Sequence, residues 1–310
     1  MLNLMIQMGY FYLYSNMWIR TIGSVNLIEQ ILKKYLKDKY GDFTPVRLTG
    51  GYTNATFLLN GTNLPLVVKV ANSFNKDIKN EVNCLKITQK TGVVPKIYDF
   101  IETDNVQLVV MEYRKGKNGQ SILDNDELER TKDLYKSLGE SLSKSTHSMK
   151  YNFVSKGIKE CNLQDLNLNL DFVPENLKQI SQGVLIKIND TKEEWVLTHG
   201  DYGMHNVLYT DNNSLTVLDW EWSEWANPLT DIGWVCWFTK LHYPKHAPLL
   251  NSLFIEAYKI NTPIELSPEK LKAYCVYKVW NVLNKVKNAQ QDVKQEWIRR
   301  LKWTIESDIF

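Results

Sequence analysis

The stretch LTHGDYGMHNVLYTDNNSLTVLDWEW, residues 197–222, gathers polar residues whose types suit one kind of chemistry. His199, Gly200 and Asp201 are consecutive, Asn206 lies five residues after Asp201, and Asp219 lies thirteen residues after Asn206. Moving a phosphoryl group needs a carboxylate that orients an attacking hydroxyl and accepts its proton. It also needs oxygen ligands that hold Mg2+ against nucleotide phosphates, and a cation for the remaining phosphate charge. Asp201 suits the first task, and Asn206 and Asp219 suit the second. The runs Val207–Tyr209 and Leu215–Leu218 read as short strands joined by a polar turn, a hairpin that returns Asp219 to the side of Asn206. The plainer alternative is a polar turn between two ordinary strands. His205 shows no partner at catalytic spacing and reads as a loop residue.

The rest of the chain must position that stretch. Residues 25–40 carry Leu27, Ile28, Ile31, Leu32, Tyr35 and Leu36 at helical spacing, and Gly41 ends the run. Strand patterns follow at Pro45–Thr49, Ala55–Asn60 and Leu66–Ala71, separated by turn residues. A helix is expected over Phe74–Gln89, with Phe74, Ile78, Val82 and Leu85 on its apolar face, then strands at Lys96–Ile101 and Val106–Glu112. Lys69 sits among valines on the third strand, an unusual place for an ammonium without a partner. Glu81, three residues after Ile78 and four before Leu85, shares the inward face of the following helix. Beyond residue 116 the pattern turns mostly helical. Leu134, Leu138 and Leu142 repeat every four residues, and Leu271, Cys275, Val279, Val282 and Val286 form a stripe that reads as core.

The composite His199-Gly200-Asp201, Asn206, hairpin, Leu218-Asp219-Trp220-Glu221 resembles the aminoglycoside phosphotransferase/choline kinase family, a relative of the protein kinases. The stretch Asn227–Trp234, with Asp231, and the run Asn80–Leu85 are similar to that family too. The resemblance implies an α+β, protein-kinase-like fold with two lobes. Residues 1–24 would be an extension and residues 25–111 a nucleotide-binding lobe with an antiparallel sheet and one main helix. Residues 112–116 would be a hinge, and residues 117–310 a larger, mostly helical catalytic and acceptor-binding lobe. It also implies roles. Asp201 would be the catalytic base, Asn206 and Asp219 the Mg2+ ligands, and His199 and Asp231 braces of the loop. Lys69, paired with Glu81, would hold phosphate; the Gly50-Gly51 turn would cover it. The Glu112 carbonyl and Arg114 amide would meet the adenine edge, with Met111 at the back of the pocket. The nucleotide expected is ATP, with GTP left open.

Composition narrows the surroundings. A 310-residue chain that is 44% apolar can bury a large core, and a net charge of +2 gives no nucleic-acid footprint. The four cysteines are dispersed, which favours a reducing cytoplasm over a disulfide framework. The apolar first twenty residues lack a basic n-region and a cleavage site. Asn3, Gln7, Ser15 and Asn16 also interrupt them before the ~20 apolar residues of a membrane span.

The acceptor expected is a small hydroxyl compound with positive charge. Glu221 and Glu224 stand among Trp220, Trp222 and Trp225, and carboxylates or aromatic faces both receive cations. An aminoglycoside is favoured, with a choline- or ethanolamine-type or other metabolite kinase as the alternative. Trp234 and Trp237 are expected only to pack. A catalytically inactive nucleotide-binding module is a further alternative. A protein kinase is disfavoured, since Asp-Trp-Glu replaces D-F-G and eleven residues between Asp219 and Asp231 leave little room for an activation loop and hold no A-P-E.

Overall fold

A computed structural model describes residues 25–48, 54–152, 157–189 and 191–309. The expectations for residues 1–24 and for Gly50 and Gly51 therefore lie outside the described residues. The chain divides after Arg114 into two compact units.

In the first unit the 3.6-residue period and the two-residue period meet. Helix α1 (Val25–Tyr40) buries Ile28, Leu32 and Leu36 against one face of an antiparallel sheet. The sheet comprises β1 (Thr44–Arg47), β2 (Ala55–Asn60), β3 (Leu66–Asn72), β4 (Ile97–Glu102) and β5 (Val106–Glu112), in the spatial order β1-β2-β3-β5-β4. Alternation on β3 sends Leu66, Val68 and Val70 to the α1 side. Val67 and Ala71 take the other side, packing with Val109 and Met111 against Ile78 and Val82 of α2 (Lys76–Thr88). Both faces of the sheet are thus covered. That explains why β5 is buried along its length and reads as the apolar run Leu108–Met111 in place of an alternating one. The expected helix start at Phe74 is corrected. Asn75 caps α2 by accepting from the Asp77 amide, and Phe74, one residue earlier, is 89% exposed.

The second unit holds two small sheets and a set of helices. The helices are α3 (Gly119–Asp124), α4 (Leu128–Ser141), α5 (Glu175–Leu185), α6 (Leu229–His242), α7 (Ala247–Asn261), α8 (Pro268–Lys285) and α9 (Gln291–Glu306). Helix α4 lies close against α7: a Cβ added at Gly139 would stand 2.2 Å from the Phe254 carbonyl oxygen. The stripe from Leu271 to Val286 is buried as expected.

One sheet orders its strands β10 (Leu215–Val217), β9 (Val207–Tyr209), β6 (Lys117–Asn118); the other orders them β7 (Lys159–Glu160), β11 (Glu224–Ala226), β8 (Val196–Thr198). This topology positions the site. Strand β8 leads through residues 199–206 into β9, and β10 leads through residues 218–223 into β11. Because β9 pairs with β10 and β8 pairs with β11, the two loops must run side by side. Among the described residues, no helix is long and apolar enough to cross a membrane.

Candidate active site

The two loops of the second unit are tied at several points. Leu218 donates its amide to the Asn206 carbonyl at 2.8 Å, extending the β9–β10 pairing to the residue before Asp219. The Ser223 hydroxyl donates to the His199 carbonyl at 3.2 Å. Gly200 has φ +78°, and a Cβ there would lie 2.1 Å from the Trp222 carbonyl oxygen, so the close approach of the loops requires glycine. Asp219 also has positive φ, +64°, a conformation that carries a cost of ~1–3 kcal/mol and is tolerated where surroundings impose it.

Behind the loops lies a buried brace. The Asp231 carboxylate, on the first turn of α6, accepts from the His199 amide at 2.7 Å and the Gly200 amide at 2.8 Å. Its Oδ2 is also 3.1 Å from His147 Nε2, whose other ring nitrogen is 2.9 Å from the Tyr258 hydroxyl. Burial pushes the Asp231 pKa up, but the His147 and His199 groups outweigh it and hold the carboxyl below its ordinary value. The tautomer of His199 follows from its partners. Nε2–H donates to the Leu218 carbonyl at 2.8 Å, so Nδ1 is the acceptor of the Asp201 amide at 3.2 Å. Burial lowers the His199 pKa, which keeps that neutral form.

Asp201 stands at the mouth of this brace, its side chain 32% exposed. Oδ1 accepts from the Trp234 indole N–H at 2.7 Å and lies 3.3 Å from His205 Nε2. Oδ2 accepts from Asn206 Nδ2 at 2.9 Å, and the same amide donates to the Asp201 carbonyl at 2.9 Å. Burial works to raise the Asp201 pKa; His205, the Trp234 donor and His199 outweigh it and hold the carboxyl at about 2. The Asn206 amide nitrogen is turned to Asp201, and its amide oxygen is a group that could ligate a metal. Asp219 and Glu221 bring carboxylate oxygens within 4.8 Å of each other. Hard oxygen donors of this kind suit Mg2+.

Two expectations change here. Trp234 does pack, stacked on Trp237 with ring centroids 4.4 Å apart, but it also carries the donor on Asp201. His205 is more than a loop residue. It stacks on Phe238 with centroids 4.5 Å apart, and its carbonyl accepts from Asn118, the N-cap of α3. His147 was not legible, because its partners lie 84 and 111 residues away.

Replacing Trp234 with phenylalanine keeps an aromatic ring, smaller than the indole, and deletes the N–H. The Asp201 carboxyl should then titrate above 2, towards the ordinary 3.8, in a carbon-detected NMR titration. An unmoved titration would mean that the indole does not set the carboxylate's charge.

Glu221 and Glu224 are buried. Glu224 lies in β11, its carboxylate oxygens 3.4 and 3.5 Å from the Tyr277 hydroxyl that donates to them. Burial raises its pKa against the pull of Lys278 and Lys159. The Trp222 face meets the ammonium groups of Lys285, 3.5 Å from the ring centroid, and Lys278, at 4.9 Å.

In the first unit, Lys69 and Glu81 are brought together. Alternation points Lys69 to the α2 side, and Nζ lies 2.8 Å from both Glu81 oxygens. Glu81 is 2% exposed. Glu112 ends β5; its carboxylate accepts from the Lys96 amide and lies 3.0 Å from Arg114 Nε. The Arg114 guanidinium also donates to the Val94 carbonyl at 3.3 Å.

Residues 44–259 match the phosphotransferase enzyme family, and the chain belongs to that family. Among curated proteins it is similar to acyl-CoA dehydrogenase family member 11 of Mus musculus, 31% identical over 103 residues, covering 32% of this chain and 12% of that protein. The match to the Rattus norvegicus protein has 29% identity and the same shares. The chain thus spans about an eighth of the length of the curated relatives it matches.

The fold is that of solved phosphotransferases and kinases. The choline kinase LicA from Streptococcus pneumoniae superposes with TM-score 0.68 at 16% identity, covering 90% of this chain and 98% of that one. A spectinomycin phosphotransferase in complex with ADP and spectinomycin gives 0.66 at 16%, covering 90% and 95%. A microcompartment-associated aminopropanol kinase gives 0.65 at 15%, covering 91% and 95%.

Proposed function

We propose that this chain transfers the γ-phosphoryl group of Mg2+-ATP to the hydroxyl of a small acceptor. The observation that carries the proposal is Asp201: a carboxylate held ionised, bonded through both oxygens, and still one-third open to a ligand. The acceptor hydroxyl would donate to Asp201, and its oxygen would attack the γ-phosphorus. The bond from that phosphorus to the β–γ bridging oxygen would break, ADP would leave, and the hydroxyl proton would pass to Asp201. A carboxylate with so low a pKa is a weak base. It suits a loose transition state in which orientation comes first and proton transfer comes late.

Asn206 and Asp219 would hold Mg2+, with Glu221 near enough to support them; the ion would neutralise charge on the phosphates. Lys69, fixed by Glu81, would hold phosphate oxygens, and the Glu112 carbonyl and Arg114 amide would receive the adenine. The Gly50-Gly51 turn would cover the phosphates. His199 and Asp231 would keep the Asp201 loop in place without touching substrate. The ADP in the spectinomycin phosphotransferase structure supports a nucleotide of this kind.

Asp219→Ala tests the metal assignment. Calorimetric affinity for ATP with Mg2+ should fall at least about tenfold, the scale of losing one ligand to a metal that bridges the phosphates. Affinity measured without Mg2+ should change little. Equal Mg2+-ATP affinity in the two proteins would remove Asp219 from the metal site.

A further inference from the structure

The rings of Trp222 and Trp234 lie under lysines of the chain itself. Lys278 is the central residue. It lies on α8 in the run Tyr274–Leu283, where Tyr274, Cys275, Val276, Tyr277, Val279 and Trp280 are all buried, and it is itself only 2% exposed. Its ammonium sits 4.9 Å from the Trp222 ring centroid and 5.9 Å from that of Trp234. Among the described residues, no hydrogen-bond acceptor is in reach of it; Glu224 attracts it only through space. An ammonium has three N–H donors, and two aromatic faces answer its charge without accepting those donors as an oxygen would.

Two further lysines approach the same segment. Lys285, two helical turns after Lys278, covers the Trp222 ring at 3.5 Å, and Lys159 donates to the Glu221 carbonyl at 3.3 Å. Glu224, buried in β11, meets Lys278 and Lys159 through space. Burial raises the Glu224 pKa, and Lys278 and Lys159 pull it back down. The Trp222 face on which a cationic acceptor was expected is therefore engaged by the chain's own lysines.

Resting on the phosphotransferase reading above, we infer that the acceptor carries an anionic oxygen group, a carboxylate or a phosphate, which docks on Lys278. The indole of Trp234 links the two ends of such a molecule. Its N–H bonds Asp201, and its ring lies beneath Lys278. Such a molecule would carry its reacting hydroxyl and its anionic group at opposite ends, as a hydroxy acid or hydroxyalkyl phosphate does.

The test separates anion binding from catalysis. Inorganic phosphate and acetate are titrated into the full chain without nucleotide, and the indole N–H resonances of Trp222 and Trp234 are followed by NMR. At least one anion should shift them saturably. Lys278→Met should weaken that binding at least about tenfold, and Lys278→Arg should restore part of it. Which anion binds distinguishes a phosphate acceptor from a carboxylate one. Binding that ignores Lys278, or no binding by either anion, overturns the inference.

In a second arm, ADP release from Mg2+-ATP is measured with hydroxyalkyl compounds bearing a carboxylate, a phosphate or a trimethylammonium group on the same chains. Stimulation by the anionic members alone supports the inference, and preference for trimethylammonium overturns it. If anions bind through Lys278 but no acceptor of any charge is phosphorylated, the phosphotransferase reading fails while the anion site stands.

Discussion

Asp201→Asn is expected to lower kcat by roughly 10²–10⁴-fold, the contribution typical of a positioned general base. The KM for ATP should stay within about threefold, because no nucleotide-binding role falls on this side chain in the account. The asparagine is close in shape, so the loss is chemical. Both carboxylate oxygens accept hydrogen bonds, from Trp234 on one side and Asn206 on the other. An amide offers one acceptor and one donor, so one of those neighbours would face an N–H in place of an oxygen. The substitution thus removes the proton acceptor and turns the side chain's remaining oxygen to one side only. Steady-state kinetics with Mg2+-ATP and an accepted substrate reads the result. A variant that keeps a tenth or more of wild-type kcat would take Asp201 out of the chemistry.

Asp231→Ala should produce the largest loss of stability. The carboxylate is fully buried and accepts two backbone amides and faces the His147 ring. Alanine leaves those donors buried without an acceptor, a change that costs about 3–5 kcal/mol where one partner of a buried charged network is removed. For a unit of this size that corresponds to a melting temperature on the order of 10 °C lower. The pH dependence has a definite sign. Asp231 has a folded pKa below its unfolded one, so its contribution is present above the ordinary aspartate pKa and fades as pH falls through the folded value. The stability gap between wild type and Asp231→Ala, measured by thermal unfolding, should therefore be full at neutral pH and shrink in acid. A gap below about 0.5 kcal/mol, inside the range of ordinary surface substitutions, would contradict the bracing role.

The order of elements was legible because it rests on local periodicity. Helix α1 and strands β2 and β5 begin and end where the apolar spacing places them. The pairing of Lys69 with Glu81 was also legible, since strand alternation and helix periodicity each point one of them inward. Phe74 was misplaced because an apolar residue continued the helical spacing, while the side chain of Asn75 set the true start. Polar contacts over long sequence separations left no such signal. His147 reaches Asp231 across 84 residues, and Trp234 reaches Asp201 with an N–H that its apolar setting concealed. Lys278 was within reach of sequence reasoning. It is a lysine in an apolar helical run, the same anomaly that singled out Lys69 on a strand, and the same question about its partner applies. Glu221 and Glu224 show the opposite limit. Their charges suggest a cationic ligand, but whether a carboxylate is exposed or buried depends on packing that composition does not encode.

The central claim is that this chain moves a phosphoryl group from ATP to an organic hydroxyl. Its most direct test follows the γ-phosphoryl label of ATP in the presence of Mg2+ and a panel of small anionic, neutral and cationic hydroxyl compounds. The products are separated so that phosphate ester is distinguished from inorganic phosphate. Label is expected in an acid-stable ester of at least one compound, formed by wild type and absent with Asp201→Asn. Label that stays in ATP or appears only as inorganic phosphate, across the whole panel, would contradict it.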